Sequence, residues 1–391
     1  MRRTTLETRP SSTPESQDGN QSECKTGANH WKMILATHFV VFLSSLLYWS
    51  HVTTEIDSNW LRIGTASIQI VSAALFGRFS DTMTPKFALV ASIAVALLGH
   101  MIEALATKEA TIASILITSS SDPLLGGLIV LSFLTSQKDR LVHVGRLMMS
   151  YGIGMFSGPL IGHWLASQSR DHFLVVLSFL AYLCLLFPIA IKYLGSPSPN
   201  RTHGSNSKVS DTAISLFVLL LVQFLTQFPL SALHSALPLV AKQRFGVNDD
   251  DDVRFVPALE HLLVAVTQGV LIGPIGRFSQ QKIIRWSLIA TGLAFFITIF
   301  IPNMVALYTC LTLILLPGTL FVITVMSLLS KRQTSAGTAL GLSASINALI
   351  QLLSPFGGPF LYDTFGYASF GVIGLTASIF GVISLRHAIA E

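Results

Sequence analysis

Stretches of about 20 predominantly apolar residues recur twelve times along this chain, at 33–52, 61–79, 87–105, 110–134, 144–166, 172–194, 213–239, 256–275, 283–301, 304–329, 338–360 and 368–385. A helix of that length, rising about 1.5 Å per residue, crosses the roughly 30 Å hydrocarbon core of a bilayer. A soluble domain carries about 25% charged residues, whereas this chain carries 12%, with 51% hydrophobic residues and a mean hydropathy of +0.62. A water-exposed surface cannot be built at half the usual charge. The chain therefore reads as an all-α membrane protein with twelve transmembrane helices and the lipid bilayer as its main partner.

The loops give the expected orientation. With the N-terminus in the cytosol, only six of the 25 Lys and Arg residues fall outside: Arg62, Lys108, Arg170, Lys242, Arg244 and Arg254. The other 19 fall on the cytosolic side, as the positive-inside rule requires. An odd number of spans would scramble this bias. The acidic run Asp249–Asp252 falls outside. Residues 1–32 are polar and lack an apolar signal-peptide core, so they read as a disordered cytosolic tail. Residues 195–211, GSPSPNRTHGSNSKVSD, read as a flexible cytosolic linker. They separate a six-helix bundle at 33–194 from a second at 212–386, with a short tail at 387–391. The Asn200-Arg201-Thr202 sequon lies on the cytosolic side, so no glycan is expected. Cys24, Cys184 and Cys310 form no metal or disulfide pattern. The basic residues are dispersed among loops, which sets a nucleic-acid partner aside.

The two halves repeat each other. GRFSD at 77–81 returns as GRFSQ at 276–280. Gly145 and Gly341, Pro159 and Pro355, and Gly162 and Gly358 share one offset, and Pro123 and Pro317 nearly so. Two related six-helix halves form a transporter architecture with its site between them near the midplane.

The loop after the second span reads GRFSDTMTPK, residues 77–86. It places Asp81 just past a helix end, where a carboxylate can pair with a basic side chain or cap a helix start. Such a contact can latch two helices in one conformation and release them in another. Gly77, Asp81 and Lys86 resemble the signature loop of the major facilitator superfamily. Thr82, Thr84 and Pro85 stand where an Arg, a Gly and an Arg are usual, and Gln280 replaces the Asp in the second half. The fifth span carries GIGMFSGPLIG, residues 152–162. Gly154, Gly158 and Gly162 line one face and let a neighbouring helix approach closely, and Pro159 permits a kink. This resembles the helix motif of the drug–proton antiporter-like branch, which implies a seal between the halves, with His163 in place of a usual Gly. Ordinary small-residue packing gives the same spacing. VTQGVLIG at 266–273, AGTALGLSAS at 336–345, SPFGGPFLYDTFG at 354–366 and the Arg140–Gly145–Arg146 stretch resemble the solute carrier family 22 member 18 group. The resemblance implies alternating access and exchange of organic cations or drugs.

Ionisable groups inside a membrane are costly and default to functional candidates. Asp122, in TSSSDPLLGG of the fourth span, is the sharpest. A lone carboxylate at low dielectric suits reversible protonation; alternatively, it bonds nearby Ser and Thr hydroxyls. Pro123 permits a break beside it. Ser121 stands where the resemblance implies an Arg. Glu260 and His261 open the eighth span and are either proton-exchange groups or an interfacial pair. Glu103 reads as solvated near the end of the third span. His38 in the first span reads as a cavity group or a bond to a neighbouring helix. Gln223 and Gln227, four residues apart on the seventh span, read as substrate-facing amides or as interhelical ties. Thr226 and His234 share that span. Tyr48 and Phe228 could offer aromatic surface to a cation.

There is no HExxH, GxSxG or nucleotide-binding loop and no metal-spaced His/Cys cluster. No catalytic residue, cofactor, metal or nucleotide is therefore expected. The expected activity is secondary, proton-coupled transport of a small organic solute, with protons as the second partner. The alternative is a degenerate facilitator that regulates or scaffolds without transporting, which the altered signature loop favours.

Overall fold

The computed structural model describes residues 18–55, 59–105, 107–136, 139–168, 171–193, 209–246, 262–331 and 335–388. Among these the chain is helical and contains no strand. In hydrocarbon every backbone N–H and C=O must be satisfied within the chain, which the helix achieves.

The first half contains α1 (Asp18–Glu55), α2 (Asn59–Thr82), α3 (Pro85–Glu103), α4 (Lys108–Ser119), α5 (Pro123–Leu134), α6 (Arg140–Ser167), α7 (Asp171–Ala181) and α8 (Phe187–Tyr193). The second contains α9 (Val209–Phe245), α10 (residues 262–270), α11 (Ile272–Ile275), α12 (Gln280–Thr298), α13 (Met304–Leu329), α14 (Ala336–Phe365) and α15 (Ala368–Ala388). Pairs α4/α5, α7/α8 and α10/α11 each form one interrupted pass, giving the twelve passes expected. Helix α1 begins at Asp18, so its first turns lie in the stretch read as tail. Eight passes are long and apolar enough to span a membrane on length and composition alone. The second, fifth, eighth and ninth fall short because they hold Arg, Lys or small residues, or are interrupted.

Local chemistry sets the breaks. Thr107 caps α4 by accepting from the Ala110 N–H at 3.1 Å, and Asn303 caps α13 by accepting from Ala306 at 2.9 Å. Helix α14 ends at Gly366, whose φ of 74° requires glycine. A π-turn, Tyr182–Leu186, joins α7 to α8.

Helices α1 and α6 pack together in the first half, and α9, α14 and α15 in the second. The halves meet through α2 against α14 and through α6 against α11 and α13. One buried apolar cluster crosses the halves at the end of the bundle bearing the α2–α3, α5–α6 and α13–α14 loops. It joins Val144 and Leu147 of α6 to Ile272, Met326 and Leu340. A second cluster, with Leu237, Phe295, Leu311 and Phe370, belongs to the second half alone and lies toward the other end. The molecule is thus closed across its halves at one end, here called the latch end.

Candidate functional site

The sequence SSSDP breaks the fourth pass. Ser119, Ser120 and Ser121 each turn a hydroxyl back onto a carbonyl of the preceding turn, Ser121 onto Thr118 at 2.6 Å. Helix α4 ends there. Asp122 then caps α5, its Oδ1 accepting from the Leu125 N–H at 2.9 Å, and Pro123 occupies the first helical position, where its missing N–H costs nothing. The matching Pro317 lies inside an unbroken α13, where no Ser or Asp precedes it to cap a new helix.

The charge of Asp122 acts on Tyr48 of α1 and Tyr151 of α6. Gln69 of α2 lies beside the Tyr48 phenol, and Trp49 lies beside Tyr151. The rings of Tyr48 and Trp49 meet edge to face at 5.6 Å. Four passes of the first half therefore bring one carboxylate, two phenols, an amide and an indole into a single polar cluster. Sequence reasoning missed Gln69 and Tyr151. Only the fold shows that they share a face with Asp122.

Beside the cluster, α6 seats directly on α1. A Cβ on Gly154 would lie 2.6 Å from the Phe42 carbonyl oxygen, on Gly158 2.7 Å from that of Leu46, and on Gly162 2.2 Å from that of Ser50. The glycine ladder therefore fixes α1 to α6 within one half, while Pro159 sits inside continuous α6. The ladder is not a seal between halves; that seal is made of other glycines. A Cβ on Gly77 would lie 2.3 Å from the Gly337 carbonyl oxygen, and one on Gly341 2.4 Å from that of Ala73.

Two charged side chains bridge the halves at the latch end. Asp81, at the end of α2, accepts from the backbone N–H groups of Gly337 (2.8 Å) and Thr338 (2.7 Å) and from the Thr338 hydroxyl (2.6 Å). Its carboxylate caps α14 of the other half and meets the positive end of that helix. Buried Arg140 does the converse. It donates to the Ser132 (2.7 Å) and Thr135 (3.0 Å) carbonyls at the C-terminal end of α5, and to the Ser330 carbonyl (2.8 Å) at the C-cap of α13 in the other half. One guanidinium thus satisfies orphan carbonyls at two helix C-termini. Lys331 adjoins it: burial, and then the charge of Arg140, lowers the Lys331 ammonium from its ordinary value. Arg140 counted in the sequence toward loop charge and toward the family resemblance, and its role between the halves was missed. Arg140→Leu is expected to cost about 2 kcal/mol, seen as a fall of about 5 °C in the thermal midpoint of the purified protein. Arg140→Lys, which keeps charge but not the fork, should fall between it and the native protein.

The remaining candidates are placed as follows. Lys86 does not pair with Asp81; its ammonium donates to the Ile191 carbonyl of α8. Gln223 is fully buried between α9 and α14, accepting from the Ser343 hydroxyl (2.8 Å) and donating to Asn347 (2.9 Å), the geometry of an interhelical tie. Gln227 is half-buried and donates to the Gly318 carbonyl of α13 at 3.4 Å. Phe228 stacks on Phe224. His38 bonds the Ile34 carbonyl through Nδ1 at 2.8 Å and has its Nε2 buried. Glu103 is not solvated. Its side chain is 11% exposed and lies 3.3 Å from His100 Nδ1, accepting also from Ser114 at 3.2 Å. Glu260 and His261 lie outside the described residues.

A family model described as Major Facilitator Superfamily matches residues 32–355. The chain belongs to the major facilitator superfamily. It is 24% identical over 364 residues to rat solute carrier family 22 member 18, covering 85% of each chain. Human solute carrier family 67 member A1 is 26% identical over 351 residues, covering 81% of this chain and 80% of that one. Among solved structures, the human organic anion transporter MFSD10 (TETRAN) superposes with a TM-score of 0.72 at 17% identity, over 92% of this chain and 99% of that one. The E. coli fucose:proton symporter FucP, as a single-substitution variant, gives 0.68 at 13% identity, over 91% and 98%. This facilitator protein is accordingly a multi-pass membrane transport protein, and its fold is the one the signature residues implied.

Proposed function

We propose that this chain is a secondary transporter that moves small organic solutes by alternating access, with a proton gradient as its driving force. The observation that carries this reading is the arrangement of the halves. They are joined at one end by helix-end charges and glycine contacts, beside a polar cluster of Tyr48, Gln69, Asp122 and Tyr151. Helix-end caps and small-residue contacts can be broken and remade even beside the buried apolar cluster that crosses the halves there, and so suit two alternating states.

With the N-terminus in the cytosol, as the 19-to-6 division of basic residues supports, the latch end faces the cytosol and the halves are closed on that side. The similar structures include an organic anion transporter and a fucose:proton symporter, and the sequence resemblance points toward organic cations. The substrate is therefore sought among organic ions of both signs. Asp122 is the proposed proton-coupling residue, Tyr48 and Ser121 neighbour it, and Gln227 is a proposed substrate-facing amide of the second half. The alternative, a scaffold without transport, rests on the altered signature loop. The intact use of Asp81 on α14 weighs against it.

The test is flux into proteoliposomes under an imposed pH gradient, across organic cations and anions. Asn caps a helix about as well as Asp, so Asp122→Asn removes the charge and keeps the α5 cap. Native protein should show gradient-driven flux. Asp122→Asn should retain exchange but lose dependence on the pH gradient, a drop of about tenfold or more in driven uptake. Flux of native protein with none of the ions would favour the scaffold, and unchanged pH dependence in Asp122→Asn would remove Asp122 from coupling.

A further inference from the structure

The latch end of the second half carries a cavity of about 1090 Å³ at the outer surface, where α12 runs beside α13 and α15. Its inner walls are apolar, including Ile284, Leu320 and Val382. Its rim carries Lys282, Arg285 and Trp286, all exposed, the indole at 67%. Neither Lys282 nor Arg285 has a hydrogen-bond or ion-pair partner among the described residues. Residues 261–362 contain no Asp or Glu at all, so this part of the half holds no acidic side chain to neutralise them. Loop charge of one sign follows from the orientation of the chain in the membrane, but that rule does not place two free cations over an apolar groove. Pro317, also on the wall, lies 12 residues from the end of α13. That is about 18 Å into the membrane by helical rise, long enough to hold most of an acyl chain.

We infer that this groove binds an anionic phospholipid, with an acyl chain between α12, α13 and α15 and the headgroup phosphate held by Lys282 and Arg285. Trp286 sits at the headgroup level, where an indole combines an apolar body with a polar N–H. A basic pocket between transmembrane helices facing the cytosolic leaflet is the setting in which anionic headgroups are recognised. The occupant is a lipid rather than a free phosphate ester because the groove's walls are apolar and reach Pro317, about 18 Å along α13 from its end.

The experiment uses the full chain in nanodiscs of phosphatidylcholine, titrated with phosphatidylserine whose acyl chains carry bromine, a short-range quencher of indole fluorescence. Bromine-labelled phosphatidylcholine and soluble glycerophosphate are the comparison arms. Brominated phosphatidylserine should quench one tryptophan component at about tenfold lower mole fraction than brominated phosphatidylcholine. Trp286→Phe should remove that component. Lys282→Gln with Arg285→Gln, both surface changes, should abolish the preference while leaving the remaining spectrum unchanged. Equal quenching by the two lipids, or an undiminished preference in the double variant, overturns the inference. Competition by glycerophosphate alone would show a headgroup site without the acyl groove and would overturn it too.

Discussion

Asp81→Ala is expected to raise the population open at the latch end about 5- to 30-fold. The carboxylate accepts three hydrogen bonds at the start of α14, and removing a helix cap costs about 1–2 kcal/mol. Those bonds exist only while the halves are closed there, so their whole loss acts on the conformational equilibrium. The effect can be read with a Ser345→Cys reporter, since Ser345 is buried in the closed interface and bonds the Ile70 carbonyl of α2 at 2.7 Å. Its rate of thiol labelling should rise by the same factor. Asp81→Asn should fall between, because an amide offers one acceptor oxygen where the carboxylate offers two. A labelling rate unchanged in Asp81→Ala would mean that the carboxylate does not hold the interface.

Gly162→Val is expected to destabilise the first half markedly. Even a methyl group there would lie 2.2 Å from the backbone oxygen of Ser50, and backbone cannot swing aside as a side chain can. Overpacking of this kind costs about 3 kcal/mol, which should appear as a fall of roughly 6–12 °C in the thermal midpoint and a lower yield of monodisperse protein. Gly273→Ala is the control, because nothing lies within 4 Å of its added Cβ. It should unfold like the native protein. Equal stability of the two variants would show that α1 and α6 do not rely on the glycine ladder.

The two predictions divide what the sequence made legible from what it did not. Helical spacing alone revealed the ladder of Gly154, Gly158 and Gly162, because period and residue size are local. It could not say which helix the ladder meets, and the resemblance pointed to a seal between halves where the structure seats it on α1. The break at Asp122 was legible for the same local reason: Ser, Asp and Pro each state a preference. The symmetry argument did not extend the break to Pro317, because repeat position carries no capping side chain. Asp81 was recognised as a latch, but its partner was sought nearby in Lys86. The partner is α14, over 250 residues away, a distance no spacing rule crosses. Arg140 was hidden by its own usefulness as a topology marker. Glu103 was misread because position near a span end suggests water, whereas His100 and Ser114 enclose it.

The central claim is that the halves separate at the latch end when Asp81 and Arg140 let go. Its most direct test is a distance distribution between spin labels at Met83 and Phe278, which are exposed on opposite halves at that end. This measurement needs no knowledge of the solute. Cys24, Cys184 and Cys310 would first be replaced, and the chain reconstituted in lipid. The account predicts one dominant short distance in the native background and a longer, well-populated second distance when Asp81→Ala and Arg140→Gln are combined. The same single distribution in both proteins would contradict it, leaving a bundle whose halves are held by something other than these two charges.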